Sequence, residues 1–337
     1  MKKRLIALSM FLLMAVSAGY GYMRDKNIIG QPGGGPRPYT LLTGSSGAQY
    51  FTIGTAMADS INNNSDKIEV SALTSTGVSE VLNLVQRGEA DFGFITYDTG
   101  YLAASSQREY TGMPPYDNIR LVMLGHTGQK TIVTYANSPY KTLGDAKGAR
   151  IASASGTQSH ALDTAAFRAW GVNFDDQTVV IMGYGEMATA MKDRVVDICC
   201  PHGPNPSSYI IDMASTNQIR ILGQTQESLA AILRDHPEWI ASTIPAGTYK
   251  GVDYDVLTFA NYSAIVCRPD IPEEDVMEFL RIVFDTDLTR VYSYGDTWGR
   301  NNKHYGSCMK NVDILPFHLG AMTFLREEGM ITDDMLK

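Results

Sequence analysis

Residues 41–98 read LLTGSSGAQYFTIGTAMADSINNNSDKIEVSALTSTGVSEVLNLVQRGEADFGFITYD. A strand around Leu41 runs into the glycine-serine loop Thr43–Gly47, and a helix opens near Ala48-Gln49-Tyr50. A second strand, Ile68–Leu73, meets the small-polar loop Thr74–Gly77 and a helix through Val85; a third, Asp91–Thr96, ends in Tyr97-Asp98. Three strands therefore stop in small, hydrogen-bonding residues, two of them directly before a helix. Such a junction presents unpaired backbone N–H groups and the positive end of a helix dipole, which suits a carboxylate or another anion. In open α/β sheets ligands gather at these carboxyl ends of strands. The segment is built to hold a small solute, and it carries no group placed to react with one.

The same chemistry returns further along. Strand Ala149–Ala152, loop Ser153–Thr157 and helix Gln158–Trp170 repeat the first unit. Strand Val179–Met182 follows, with a turn at Gly183-Tyr184-Gly185, a helix at Glu186–Lys192 and a strand at Val196–Cys200. Between the two units lie strands at Ile119–Leu124 and Thr131–Tyr135. Beyond them come helix Ser207–Ser215, strand Ile219–Gly223, helix Glu227–Asp235, the apolar strand Val256–Cys267, helix Pro272–Asp285 and a last helix at His318–Glu328. Repeated strand-helix alternation predicts an α/β fold with largely parallel sheets. Two such regions joined by extended segments predict two lobes and a cleft. Lobe I is 39–125 plus 256–337, lobe II is 132–248, and 126–131 with 249–255 are hinges.

The chain opens Met1-Lys2-Lys3-Arg4, then an apolar run from Leu5 to Val16 and the small-residue exit Val16-Ser17-Ala18. That is a secretory signal peptide cleaved near Ala18, because the run falls short of the roughly 20 apolar residues a spanning helix needs. A glycine- and proline-rich tether, within 19–38, leads to the fold. The mature protein is expected to be periplasmic and monomeric. Loss of Lys2, Lys3 and Arg4 takes the formal net charge from −8 to −11. With 28 basic against 36 acidic residues and no basic run beyond the leader, nucleic acid is not the partner.

Four cysteines, Cys199, Cys200, Cys267 and Cys308, would meet an oxidising compartment after export. Cys267 with Cys308 is a candidate disulfide, whereas the adjacent Cys199 and Cys200 cannot bridge each other without strain. No C-x-x-C pair exists and the histidines are scattered, so no metal site and no cofactor is expected. His160, His202 and His318 lack a nucleophile or acid partner at a recognised spacing. G-x-S-x-G, H-E-x-x-H and Walker loops are missing from the sequence, so the chain reads as a binding protein and not an enzyme.

Candidate ligand contacts follow from the strand-end loops. In the first lobe they are Ser45, Ser46, Gly47, Gln49 and Tyr50, then Ser75, Thr76, Gly77 and Val78, then Tyr97 and Asp98. Small loop residues let the backbone approach a solute, and Ser and Gly are equally the ordinary helix caps. Tyr50 either lines the pocket or packs beneath it. Asp98 would prefer an amine if it faces the cleft, and otherwise caps the following helix. Glu80, three residues after Gly77, is a first-turn helix partner. In the second lobe the candidates are Ser155, Gly156 and Thr157 as an anion cradle, Tyr184, Pro204, Asn205 and Tyr249. Glu186 is a first-turn helix carboxylate. No arginine lies at any of these loops, so a bidentate carboxylate clamp is not expected.

Seven strings in order resemble one family: Thr43–Tyr50 (TGSSGAQY), Ser75–Glu80, Gly88–Asp91, Tyr97–Thr99, Ser155–Thr157, Ile244–Tyr249 and Leu315–Ala321. From about Tyr39 to Gly329 the chain is similar to the TAXI subgroup of solute-binding proteins of TRAP (tripartite ATP-independent periplasmic) transporters. Two places depart from that pattern. Cys199-Cys200-Pro201-His202 stands where the family has apolar residues, and Leu319 stands where it has proline. The resemblance implies a two-lobed, type II-like periplasmic-binding-protein clamshell. It implies a small organic solute, glutamate-like or a dicarboxylate, handed to TRAP permease subunits in the membrane. The same clamshell could instead serve as a sensor that presents its solute to a signalling partner.

Overall fold

A computed structural model describes residues 35–44, 49–154, 157–285, 302–309 and 311–336. The segment expected to be a signal peptide, and most of the expected tether, lie outside these residues. Strands β1 (Arg37–Leu42), β2 (Ile68–Leu73) and β3 (Phe92–Thr96) alternate with helices α1 (Gln49–Asn64), α2 (Val78–Gln86) and α3 (Tyr97–Ala104). Then come β4 (Arg120–Lys130), β5 (Val133–Tyr135), β6 (Arg150–Ser153), α4 (Thr157–Arg168), β7 (Thr178–Ile181) and α5 (Tyr184–Lys192). The chain continues through β8 (Ile198–Cys200), β9 (His202–Gly203), α6 (Ser208–Thr216), β10 (Ile219–Ile221), α7 (Gln226–Asp235) and β11 (Ile240–Ile244). It closes with β12 (Val256–Cys267), α8 (Glu273–Asp285), α9 (Asn302–Met309) and α10 (Leu319–Glu327).

These strands form two sheets. The larger has the order β2-β1-β3-β12-β4-β9, with β11 also on β12; the smaller is β10-β5-β8-β6-β7. Pairings β1–β2, β1–β3, β6–β7 and β6–β8 are parallel, as strand-helix alternation requires. The expectation of largely parallel sheets fails elsewhere, because β12 lies antiparallel to β3, β4 and β11. β5 is antiparallel to both β8 and β10. These exceptions come from chain that passes between the lobes and must return in the opposite sense.

The cores show the division into two lobes. One apolar cluster holds Leu41, Ile53, Phe92, Leu121–Leu124, Ala264–Cys267, Phe279 and Leu325. Two others lie within 132–259 and centre on Ile151, Phe167 and Ile198, and on Met187, Cys199 and Ile210. β4 leaves the first core after Leu124, and Ile132 already belongs to the second. β12 does the reverse, with Phe259 in the second and Tyr262 in the first. Tyr249, Val252 and Val256 all pack in the second lobe.

Local packing explains why the first-lobe helices sit so close to their sheet. α1 buries Ile53, Met57 and Ile61, spaced four apart on one face. Each is worth about 1.5–3 kcal/mol when removed from water. A Cβ on Gly54 would stand 2.4 Å from Thr43 Cγ2, and one on Gly93 2.2 Å from Val81 Cγ1. Glycine at both positions lets α1 and α2 approach the strands.

All four cysteines are buried and free, so the Cys267–Cys308 bridge does not form. Cys267 is level with Phe92 at the start of β3, whereas the Cys308 carbonyl accepts from Tyr97 at its far end. At about 3.3 Å per strand residue the two lie well beyond bridging distance. Among the described residues no helix is long and apolar enough to cross a membrane.

Candidate functional site

A cavity of about 510 Å³ lies between the lobes. β4 and β12 form its floor. Side chains alternate along a strand, so His126 and Gly128 share one face of β4, and Asn261 and Ser263 one face of β12; all four line the cavity. The first lobe adds Gln49 and Tyr50 of α1, Val78 of α2 and Thr96 at the end of β3. The second adds Gln158, Tyr184 and Tyr209; β9 beside β4 adds His202 and Gly203, and the turn that follows adds Pro204 and Ser207.

Helix starts dominate this lining. Gln49, Val78 and Tyr184 are the first residues of α1, α2 and α5, and Gln158 and Tyr209 the second residues of α4 and α6. Five helices thus direct their N-terminal ends at one space. Each end carries roughly half a positive charge from its aligned peptides, offset at α2 and α5 by the first-turn carboxylates Glu80 and Glu186 and left to the backbone at α1, α4 and α6. Among the described lining residues no side chain is Asp, Glu, Lys or Arg. Positive potential here is backbone potential.

Two charged groups stand behind the wall, both occupied. Asp98 accepts from Gln158 Nε2 at 3.1 and 3.2 Å, Trp239 Nε1 at 3.0 Å and Asn261 Nδ2 at 3.1 Å. Its oxygens are thus engaged by the protein, and it does not cap α3, whose N-cap is Thr96. Lys130 donates to the Cys200 carbonyl at 2.6 Å and pairs with Asp163 of α4. Burial is the largest influence and opposes its charge, but Asp163, with Cys200 and Tyr184 adding to it, turns the net shift of its pKa upward.

The two histidines are neutral. Burial pulls His126 down to about 3, with His202 adding a smaller push in the same direction. Burial, then Lys130, pulls His202 down to about 4. His202 Nε2 donates to the Gly128 carbonyl at 3.0 Å, and His126 Nδ1 lies 3.2 Å from Ser263 Oγ. A Cβ on Gly128 would stand 2.7 Å from His202 Cε1, so glycine there is what admits the imidazole. Burial also pushes the Tyr50 phenol up, with Asp98 adding to it. Gln49 Nε2 is buried with no partner in the protein.

Of the residues read from the sequence, Gln49, Tyr50, Val78, Tyr184 and Pro204 line the cavity. Tyr184 heads α5, where the sequence suggested a turn. Ser45, Ser46, Gly47, Ser155 and Gly156 lie outside the described residues, and of Thr157 only its place at the head of α4 is described.

The others are engaged elsewhere. Ser75 donates to the Thr43 carbonyl. Thr76 gives its N–H and hydroxyl to Glu80 at 2.6 and 2.7 Å, and Gly77 caps α2 with φ 152°; Glu80 has the helix-start role expected of it. Tyr97 is buried in the first core with its hydroxyl on Cys308. Asn205 gives its amide N–H groups to Gln129 and Thr131, each at 3.0 Å. Its carbonyl oxygen accepts from Tyr249, whose own oxygen accepts from Ser207 N at 2.9 Å. Asn205 and Tyr249 thus hold the turn that presents Pro204 and Ser207. Outside the cavity, Glu186 reaches back to Gly183 N at 2.9 Å as a helix carboxylate. His318 caps α10, accepting from Gly320 N at 3.2 Å.

Thr96, His126, Gly128, Gln158, His202, Gly203, Ser207, Tyr209, Asn261 and Ser263 were not foreseen as lining. Gln158 adjoins the predicted Ser155–Thr157 cradle, and that was the available signal. His126 and Gly128 lie in the polar half of β4, beyond the apolar run that ends at Leu124, so that run does not reveal them. No group of three or more metal-ligating side chains occurs among the described residues.

The fold is a two-lobed α/β periplasmic-binding-protein fold. It is similar to a structure from Methylobacillus flagellatus KT, named for a periplasmic sulfonate-binding protein of a sulfonate ABC transporter. Identity there is 16%, 88% of this chain and 96% of that one are covered, and the TM-score is 0.53. It is also similar to the Xanthomonas citri protein XAC2383 bound to chloride ion, at 9% identity, 86% and 99% coverage and a TM-score of 0.50. Across residues 41–329, both lobes included, the sequence matches the model of the NMT1-like family, and the chain belongs to that family.

Proposed function

We propose that this protein is an exported receptor that closes its two lobes on a small organic anion and delivers it to a membrane transporter. The observation that carries the reading is the convergence of five helix N-termini on a cavity whose described side chains are uncharged. Backbone dipoles and neutral donors attract an anion without the desolvation of a buried cationic side chain. Membership of the NMT1-like family and the binding-protein fold support a receptor role. The seven TAXI-like strings support a TRAP permease as partner, with glutamate-like acids and dicarboxylates as solutes to test. The M. flagellatus neighbour adds sulfonates. Export rests on the leader ending near Ala18.

We place the hinge where the strands change core, at 126–131 in β4 and near Phe259–Tyr262 in β12. Packing of Tyr249, Val252 and Val256 with the second lobe supports a second hinge later than 249–255. A solute touching both lobes favours the closed form by its differential affinity for that form. Thermal-shift and calorimetric titration with amino acids, dicarboxylates and sulfonates tests the proposal. A ligand at 100 times its Kd adds about 2.7 kcal/mol of stability. Absence of stabilisation by every anion in the panel would overturn the assignment.

A further inference from the structure

Within that receptor reading, on which this inference rests, the lining narrows the class of solute. Three features of the cavity bear on it: charge, walls and size.

A dicarboxylate brings two negative charges, and an α-amino acid brings an ammonium. The described lining offers no cationic side chain for a second carboxylate. The ammonium's natural partner, Asp98, already accepts from Gln158, Trp239 and Asn261, and it lies behind the lining. Moving an ammonium into this space would leave it without a carboxylate in direct contact, which is costly in a buried site. One negative charge suits the helix ends.

Aromatic rings stand on both sides. In the first lobe Tyr50 is stacked on Phe94, centroids 5.3 Å apart, with the His126 ring 6.1 Å away. In the second, Tyr184 and Tyr209 pack at 4.8 Å, and His202 lies beside them in the lining. Both imidazoles are uncharged at neutral pH, so these walls offer ring faces and not cations. Flat π-systems stack on such surfaces. A space of about 510 Å³ falls within the 300–1,000 Å³ typical of pockets that enclose drug-sized ligands.

We infer that the solute is an aryl monoanion, a flat aromatic body bearing one carboxylate or sulfonate, its ring between Tyr50 and Tyr184–Tyr209 and its charge toward the helix N-termini. The unpartnered Gln49 amide supplies one donor to the acid group or to a ring substituent.

The test is calorimetric titration of the full-length mature protein with benzoate, benzenesulfonate, cyclohexanecarboxylate, succinate and L-glutamate. Benzoate or benzenesulfonate is expected to bind at least tenfold more tightly than the other three. Tyr50→Leu and Tyr184→Leu should each reduce that preference severalfold. Tighter binding of succinate or glutamate overturns the aryl inference and leaves the receptor reading standing. Equal affinity for benzoate and cyclohexanecarboxylate overturns it as well, because shape without π-faces would then suffice. Binding of none of the five overturns the aryl inference. With no stabilisation by the wider anion panel, the receptor reading falls too.

Discussion

The side-chain amide of Gln158, on the second lobe, donates to the Asp98 carboxylate of the first at 3.1 Å. The same nitrogen lies 2.8 Å from Thr96 Oγ1. This amide joins the lobes at the edge of the cavity; the Trp239 indole, which packs in the second core, joins them through the same carboxylate, and the third donor is Asn261 on β12.

Gln158→Ala should therefore favour the open form. A hydrogen bond to a charged group contributes about 1.5–3 kcal/mol, so the closed population should fall about 10- to 100-fold relative to the open one. Small-angle scattering of the unliganded protein reads this as a larger radius of gyration. An unchanged profile would mean the bridge does not bias closure.

Asp98→Ala has a different consequence. It leaves the Trp239 indole and Asn261 amide as buried donors without an acceptor, and each such group costs about 1–3 kcal/mol. Urea unfolding should show a loss of about 2–6 kcal/mol, larger than for Gln158→Ala. A loss below 1 kcal/mol would mean water replaces the carboxylate freely.

Lys130 and Asp163 are both fully buried and tie the end of β4 to α4. Lys130→Met should destabilise by about 3–5 kcal/mol, because it strands the carboxylate. Lys130→Met combined with Asp163→Leu should recover most of that loss, since a buried ion pair is often replaceable by apolar residues. Chemical denaturation of the three variants decides the matter.

Acid should weaken the fold through its two cavity histidines. Their folded-state pKa values, about 3 for His126 and about 4 for His202, lie below the unfolded value of about 6.5. The unfolded chain takes up these protons first. Stability is thus full above pH 6.5 and falls as pH drops toward 4, by about 1.4 kcal/mol per pH unit for each histidine. His126→Gln should flatten this slope by about that amount in urea titrations at pH 6.5, 5.5 and 4.5. An unaltered slope would show that His126 is protonated without penalty.

Gly128→Ala places a methyl group 2.7 Å from His202 Cε1 and 2.9 Å from Asn261 Oδ1. Overpacking of this kind costs about 1–3 kcal/mol. Displacement of His202 should weaken solute affinity beyond the change in stability, measured as Kd against unfolding free energy. Equal affinity to the native protein would show that the His202 position is not needed for binding.

Much of this molecule was legible in its residues. β2 and β12 were bounded by their apolar runs, and the loops before α1, α2 and α4 by their Gly, Ser and Thr. Those features are local, set by propensity and by caps within a few residues. Helix-start roles for Glu80, Glu186 and His318 could be read for the same reason. Which of those helix starts share a cavity is a different kind of fact. Asp98 stands at a strand end, and its oxygens accept from Trp239 and Asn261, over 140 positions away. Asn205 and Tyr249, 44 positions apart, bond to each other. His126 and Ser263 gained meaning only when β4 and β12 aligned. Sequence determined the elements and the anion-friendly junctions, because backbone geometry obeys neighbouring residues. Tertiary structure alone decided which polar groups are consumed by the protein and which remain for a guest, because hydrogen-bond partners are chosen in space.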